Sequence, residues 1–188
     1  MSSLHGFGLG IASENAEGAS LDTFYPRPLA QVTGAVADAL QGVTGHLDAG
    51  QLKELASALE QAGEMGLAAI ARQFMDTDLR VVATPLVDNA APDSVEAAYL
   101  KLHLISHRLV TPHETDLTGL FDLLPNVAWT DQGPIDLTEL PQRQLDARLR
   151  GAVLEVSSVD KFPKMTNYVV PAGVRIAHPA RVRRGAYL

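Results

Sequence analysis

The sequence predicts an α+β protein in which a mixed sheet is covered by helices and is followed by the first coil of a parallel β-helix. Short aliphatic runs alternate along the chain with segments whose apolar residues recur at helical spacing, and a six-residue period governs the carboxyl end. With 188 residues, 46% hydrophobic content and no cysteine, the chain suits one globular core and excludes disordered and disulfide-stapled classes. We place an amino-terminal α/β globular domain at residues 1–160, and a linker with the first repeat coil at residues 161–188.

The first elements predict a β-hairpin. Residues 4–12 and 21–25 are apolar and aromatic runs, and the turn-rich residues 13–20 separate them. Gly6, Gly8 and Gly10 form a G-x-G-x-G run inside the first strand. This run lacks the spacing of a dinucleotide-binding loop and no helix follows it, so it indicates close backbone packing rather than phosphate binding.

Residues 28–75 have a helical pattern. Leu52, Leu55 and Leu59 recur at helical spacing, Gly63 marks a break, and residues 67–74 continue the pattern, which predicts two or three short helices. Residues 79–87 then predict a strand, in which Pro85 indicates a sheet edge or a strand end because proline has no N–H to donate.

The strongest helix signal begins at Asp93, which we expect to be the N-cap, with Glu96 three residues later. An apolar stripe continues from Val95, and we expect the helix to end near Val110. The remaining expected elements are a short helix at 117–124 stopped by Pro125, a strand at 127–129, a helix at 137–149 and a strand at 153–159.

His103 and His107 lie four residues apart on the best helix, which places both imidazoles on one face. No glutamate lies between them and no third ligand is identifiable, so we interpret them as surface or hydrogen-bonded structural histidines and expect no metal site. The chain has no G-x-S-x-G motif to support a serine hydrolase.

Charge is distributed unevenly along the chain. Residues 1–150 contain 9 Lys and Arg against 20 Asp and Glu, whereas residues 151–188 contain 6 against 2. The acidic body argues against a nucleic-acid partner, and the basic end suits a small anion, an acidic neighbour or a solvated surface. No apolar run is long enough for a membrane span, and the first basic residue is Arg27, so we expect neither a membrane partner nor a signal peptide and a cytoplasmic location.

A hexapeptide period governs the last nineteen residues. Aliphatic residues are six apart, and a small or β-branched residue lies four positions after each of the first three: Val170, Ile176, Val182 and Leu188, with Val174, Ala180 and Ala186. Three hexads form one coil of a parallel β-helix, and about three coils are needed to cover its interior. We therefore expect this chain to be the amino-terminal part of a longer protein. A proline- and glycine-containing tail with accidental spacing is the alternative.

Several longer runs resemble one family. They are AYLKLHLISHRLV at 98–110, LPNVAWT at 124–130, SVDKFPKM at 158–165, YVVPAGVRIA at 168–177, ARVR at 180–183 and GAY at 185–187. These runs resemble the long form of tetrahydrodipicolinate N-succinyltransferases. The resemblance is dense from about residue 97 to residue 188, and before that only the opening hairpin is similar.

The resemblance implies a homotrimeric left-handed β-helix enzyme that moves succinyl from succinyl-CoA to the amine of a cyclic dicarboxylate's open form, on the diaminopimelate route to lysine. It also implies that the catalytic residues lie in later coils, so no catalytic residue is expected in this chain and the chain alone is expected to be inactive. Two positions depart from the family: Arg184 replaces a usual leucine, and Ala180 replaces an acidic residue that some relatives associate with magnesium.

Cations in the hexads are the candidate substrate-binding residues. Arg181 and Arg183 are the candidate anion contacts, near Arg175 and Arg184, because a dicarboxylate and a CoA phosphate both need cations. A salt bridge between subunits would use the same residues. Two other functions remain open: a non-catalytic interaction or oligomerisation module preceding a β-helix, and a hexapeptide acyltransferase with another acceptor.

Overall fold

The computed structural model describes residues 3–111 and 113–162, which form two antiparallel sheets and six helices. The first elements along the chain are β1 (Ser3–Glu14), β2 (Ser20–Phe24), β3 (Leu29–Thr33), α1 (Gly34–Ala39), β4 (Gly45–His46), α2 (Ala49–Gln61), α3 (Met65–Phe74), β5 (Arg80–Leu86) and α4 (Val95–Ser106). Their strands form the larger sheet, which has the order β2-β1-β5-β4, and β3 also pairs with β1.

Strand β1 organises this larger sheet because three other strands pair with it. It pairs with β5 from Gly6 to Ala12, with β3 near its beginning and with β2 near its end. Side chains alternate between the two faces of a strand, so the glycines of the G-x-G-x-G run share one face and the large side chains share the other. Neighbouring residues can therefore approach β1 closely on the glycine face and not on the face that carries the large side chains.

Each face of the larger sheet has its own core. Phe7 and Leu9 pack with α1, α2 and α3 on the first face. On the glycine face, Tyr25 and α4 approach β1 closely: a Cβ added to Gly8 would lie 2.6 Å from Tyr25 Cε1 and 2.8 Å from Leu100 Cδ1. The G-x-G-x-G run thus serves close packing, as predicted, since any side chain there would displace the Tyr25 ring.

After α4 come α5 (Leu120–Leu123), β6 (Val127–Thr130), β7 (Gly133–Asp136), α6 (Leu140–Leu149) and β8 (Val156–Asp160). The three strands form a smaller sheet with the order β7-β6-β8. Val127 and Trp129 of β6 pack against Leu21 of β2, and the Trp129 indole donates a hydrogen bond to the Asp160 carbonyl at 2.9 Å. The packing against Leu21 joins the smaller sheet to the larger one, and the hydrogen bond holds β6 to β8 within the smaller sheet.

The expected α+β class is confirmed, but the sheet arrangement differs from the expectation. Instead of one mixed sheet, the described residues form two sheets in which every pairing is antiparallel. The strands that pair with β1 and with β6 all run antiparallel to them, and β4 runs antiparallel to β5. The first β-helix coil expected at residues 161–188 lies almost entirely outside the described residues.

Two strands were missed inside the region expected to be helical. Residues 29–33 pair with β1 as β3, and Gly45–His46 pair with β5 as β4, so the first helix begins only at Gly34. Pairing with an open strand edge overrides weak local helix propensity. The helices expected around Leu52–Leu59 and at residues 67–74 are confirmed as α2 and α3.

The ends of α4 also differ from the expectation. Ser94, not Asp93, is the N-cap, because its side chain accepts a hydrogen bond from the Ala97 backbone N–H at 3.2 Å. The helix ends at Ser106 rather than near Val110. Arg108 has a left-handed φ of 59°, and the Leu109 N–H donates to the Leu104 carbonyl at 2.9 Å, which closes the helix in a Schellman arrangement.

The other expected elements are present with altered bounds. The hairpin β1–β2 and the strand β5 are confirmed, the helix expected at 117–124 is the single turn α5, and the strand expected at 153–159 is β8. Strand β7 was missed because its G-P-I-D sequence has a proline and no alternation. Pro85 lies one residue before the end of β5, as predicted.

Candidate functional site

The sequence-predicted anion contacts Arg181 and Arg183 lie outside the described residues, as do Arg175, Arg184 and the hexad positions from Val170 to Leu188. No geometry is therefore assigned to them. The buried polar groups of the described residues lie around α4, and most residues of this helix belong to the run at 98–110 that carries the family resemblance.

His103 is a structural histidine, as interpreted from the sequence. It is buried, its Nδ1 lies 2.8 Å from the Tyr99 carbonyl, and its Nε2 accepts a hydrogen bond from the Tyr25 backbone N–H at 3.3 Å. His107 lies beside it with a ring separation of 6.1 Å. Within residues 3–111 and 113–162, no group of three or more His, Asp or Glu side chains could hold a metal ion.

A polar junction that sequence reasoning missed surrounds Lys101 on α4. The Lys101 side chain is fully buried, and its Nζ donates a hydrogen bond to Asn89 Oδ1 at 3.1 Å. Asn89 also accepts from the Asp116 backbone N–H at 3.0 Å and donates to the Glu114 carbonyl at 2.7 Å. Asn89 thus joins the loop after β5 to the loop before α5. The signal in the sequence was a lysine at a helical core position between leucines.

Burial sets the protonation behaviour of this junction. It lowers the pKa of Lys101, and the carboxylates of Asp116 and Asp88 act in the opposite direction. Burial also lowers the pKa of His5, and the charge of Lys101 lowers it further. His5 Nε2 lies 3.5 Å from Thr115 Oγ1, so β1 reaches the same junction. These groups hold loops together, and their arrangement favours a structural role.

A second buried polar group lies on the glycine face of the larger sheet. The Tyr25 hydroxyl lies 2.7 Å from Thr84 Oγ1 and donates to the Glu96 carbonyl at 3.1 Å. Burial raises the pKa of Tyr25 well above its usual range, so the phenol is neutral at physiological pH. Glu96 in turn accepts a hydrogen bond from Ser20. This network connects β2, β5 and the start of α4.

An open groove of about 500 Å³ runs along the outer edge of β5. Residues 82–88 of β5 and its continuation form one wall, and residues 90–94 of the following loop form the other. We call this the β5 groove. Its carboxylates are Asp88, Asp93 and Glu96, and its cation Arg80 is paired with Glu14. The groove is therefore net acidic, which disfavours an anionic substrate such as a CoA phosphate.

Lys101, His103 and Tyr25 are buried and bonded to neighbouring groups, and the β5 groove is acidic. The expectation that this chain holds no catalytic residue stays a prediction. No helix in the described part has the length and apolar character that a membrane span requires.

Comparison with solved structures finds a similar fold in a known protein. A structure from Campylobacter jejuni, described as a 2,3,4,5-tetrahydropyridine-2-carboxylate N-succinyltransferase, matches with a TM-score of 0.73. The match covers 92% of this chain and 51% of that chain at 22% sequence identity, so it shows the shared fold. The class that the comparison defines is thus the α+β fold that the two chains share.

Sequence comparison then specifies the family. Residues 124–164, which include the whole smaller sheet, match the family model "Tetrahydrodipicolinate N-succinyltransferase middle". The chain is 51% identical to the 2,3,4,5-tetrahydropyridine-2,6-dicarboxylate N-succinyltransferase of Pseudomonas putida, 48% to that of Pseudomonas aeruginosa and 44% to that of Vibrio cholerae. The chain is a relative of the tetrahydrodipicolinate N-succinyltransferases, and the resemblance found in its sequence is confirmed.

The extent of these matches corrects one expectation. They cover 98%, 99% and 96% of this chain, so the similarity extends well before residue 97 and beyond the opening hairpin. They cover only 56%, 56% and 55% of the relatives. The chain therefore spans about half the length of the curated relatives that it matches.

Proposed function

We propose that this chain forms the amino-terminal part of an N-succinyltransferase that transfers succinyl from succinyl-CoA to tetrahydrodipicolinate in lysine biosynthesis. The observation that carries this proposal is the 51% identity to the Pseudomonas putida enzyme along 98% of the chain. In this proposal residues 1–160 are a globular domain, and residues 161–188 are a linker and the first coil of a left-handed β-helix. The whole protein is a cytoplasmic homotrimer.

The chemistry explains why the described domain does not suffice. A neutral amine attacks the thioester carbonyl, the oxyanion that forms needs hydrogen-bond donors, the thiolate of CoA leaves, and a base takes the amine proton. The acceptor carboxylates and the CoA phosphates also need cations. In this proposal Arg181 and Arg183 supply cations near the site, and the base and oxyanion donors belong to coils outside this chain.

Magnesium finds little support in this chain. Ala180 stands where some relatives have an acidic residue, and a methyl group cannot ligate a cation. The described residues offer no cluster of three ligating side chains. We therefore assign no step of the reaction to a metal.

The test compares the 188-residue chain with a chimera in which this chain is followed by the carboxyl-terminal portion of the Pseudomonas putida relative beyond the match. Thiol release from succinyl-CoA is measured with tetrahydrodipicolinate as the acceptor. We expect no thiol release with the short chain and measurable release with the chimera. The reacting groups must be held in place, since misplacing them by about 1 Å can already cost on the order of 100-fold in rate. The double variant Arg181→Ala/Arg183→Ala in the chimera is expected to raise KM for at least one substrate.

Turnover by the short chain would contradict the placement of catalysis outside it. Inactivity of a well-folded chimera would favour the second candidate, a non-catalytic interaction module. One observation favours that candidate: α6 carries exposed leucines that no described residue covers.

A further inference from the structure

His5 on β1 contacts two other parts of the fold through its two ring nitrogens. The register of the β1–β3 pair places His5 opposite Gln31 of β3, and the Gln31 Nε2 lies 3.5 Å from His5 Nδ1. On its other side, His5 Nε2 lies 3.5 Å from Thr115 Oγ1. Thr115 belongs to residues 113–119, which lead into α5 and which we call the α5 loop. His5 therefore bridges β3 and the α5 loop.

Gln31 meets His5 from an unfavourable backbone conformation. Its φ is 51°, in the left-handed region that residues with a Cβ disfavour. The residues on either side of Gln31 pair with β1, so the irregularity is confined to the position opposite His5. Unfavourable backbone conformations concentrate at functional and switching positions. This contact is therefore a candidate for a role beyond holding two strands together.

The hydrogen bonds that pass through His5 have one consistent direction. The Gln31 amide N–H donates to His5 Nδ1, so the neutral ring carries its proton on Nε2 and donates to Thr115 Oγ1. The Thr115 hydroxyl donates to Asn89 Oδ1 at 3.4 Å, and the buried Lys101 Nζ donates to the same oxygen at 3.1 Å. We call this set the His5 latch: Gln31, His5, Thr115, Asn89 and Lys101.

A proton on His5 Nδ1 disrupts this arrangement. The protonated ring has two N–H donors and no acceptor, so the Gln31 amide can no longer donate to it. Burial lowers the pKa of His5, the charge of Lys101 lowers it further, and the Asp88 carboxylate opposes them. The β3 strand has no titratable side chain, and the charge of Asp116 acts on Lys101. The folded protein thus favours the neutral ring.

We propose that His5 is a pH-sensitive latch, which holds the α5 loop against β1 while its ring is neutral and releases Thr115 when the ring is protonated. The latch stabilises the closed loop above the ordinary histidine pKa of about 6.5, and this stabilisation is lost as the pH falls through the lower folded pKa. The loop leads into α5, whose Phe121 ring contacts Phe162 at 6.3 Å between centroids. The inference does not depend on succinyl transfer, and its test contains no activity measurement.

Hydrogen exchange of the Asp116 amide reports on the α5 loop, because this N–H donates to Asn89. Between about pH 7.5 and about pH 5.5, its protection, corrected for the intrinsic exchange rate, should fall roughly threefold or more in the wild-type chain. His5→Gln should remove this pH dependence, since the glutamine amide both accepts and donates hydrogen bonds but takes up no proton. His113→Gln, at the exposed histidine of the same loop, should leave the pH dependence unchanged.

The charges around His5 set the pH at which the latch releases, and NMR titration of the His5 ring measures that pH. Lys101→Met removes the like charge and should raise the midpoint, whereas Asp88→Asn removes the opposing carboxylate and should lower it. Each shift should be roughly 0.3 pH unit or more. Glu54→Gln makes the same change in net charge as Asp88→Asn, but on α2 at the other face of the larger sheet, and should leave the midpoint unchanged.

Three results would overturn the proposal. They are an Asp116 protection that stays constant with pH in the wild-type chain, an undiminished pH dependence in His5→Gln, and a midpoint that Asp88→Asn leaves unchanged or raises. Loss of the pH dependence in His113→Gln would assign the titration to the wrong histidine and would also reject the latch. Circular dichroism checks that each variant is folded, and if Lys101→Met does not fold, the His5→Gln and Asp88→Asn results decide.

Discussion

The larger sheet around β1 and the smaller sheet around β6 use the same antiparallel pairing but differ in how they are covered. Helices α1 to α3 bury one face of the larger sheet, and α4 with Tyr25 buries the other. The helix that follows β7, α6, has Ala147 as its buried residue and exposes Leu145 and Leu149. The difference shows that one region is a complete core, whereas the other presents a surface that suits a further partner.

The largest effect should come from Gly8 in the complete core. Gly8→Ala places a Cβ against the Tyr25 ring and Leu100, and we expect it to lower the free energy of unfolding by about 3 kcal/mol through overpacking. Gly18→Ala is the control: its Cβ would meet no atom within 4 Å, so only its left-handed φ of 81° should cost about 1 kcal/mol. Urea unfolding measures both. Equal losses would contradict the close packing of the glycine face.

A smaller effect is expected from the buried polar network on the same face. Tyr25→Phe removes a hydroxyl that contacts both Thr84 and the Glu96 carbonyl, and should cost about 1.5 kcal/mol of unfolding free energy. Tyr99→Phe removes one hydrogen bond, to the Lys161 carbonyl, and should cost about 1 kcal/mol. Urea unfolding at neutral pH measures both losses.

The pH dependence of the Tyr25→Phe variant gives an independent check. The folded pKa of Tyr25 is raised, so its contribution to stability is present below the unfolded pKa of about 10 and is lost above it, when only the unfolded chain releases the proton. The stability difference between wild type and Tyr25→Phe should therefore narrow above pH about 10. A constant difference would show that the phenol is not buried as described.

The smallest effect on stability should come from α6. Leu149→Ser should change the unfolding free energy by no more than about 0.5 kcal/mol, because this side chain is 77% exposed. Leu104→Ser on α4 is the matched buried leucine and should cost about 3 kcal/mol or more. Thermal and urea unfolding at low protein concentration separate this effect from association. A large loss with Leu149→Ser would mean that α6 is part of a core within the single chain.

Local sequence patterns predicted much of the fold but little of the described polar structure. The hairpin, α2, α3, α4 and β5 were predicted because helical and alternating periods are properties of short segments. The interpretation of Gly6, Gly8 and Gly10 as a close-packing run is also confirmed. It could be made from the sequence because alternate residues of a strand share one face. The predicted cations Arg181 and Arg183 remain a prediction, since they lie outside the described residues.

By itself the sequence determined the α+β class, the glycine face of β1 and the family to which the chain is related, because each depends on periodicity or on contiguous runs of residues. Only the tertiary structure decided that residues 29–33 pair as a strand, that Lys101 is buried beside Asn89, and that Leu145 and Leu149 of α6 are exposed. These outcomes depend on partners distant in the chain, and the free energy of pairing and burial with such partners exceeds the local preference of any short segment.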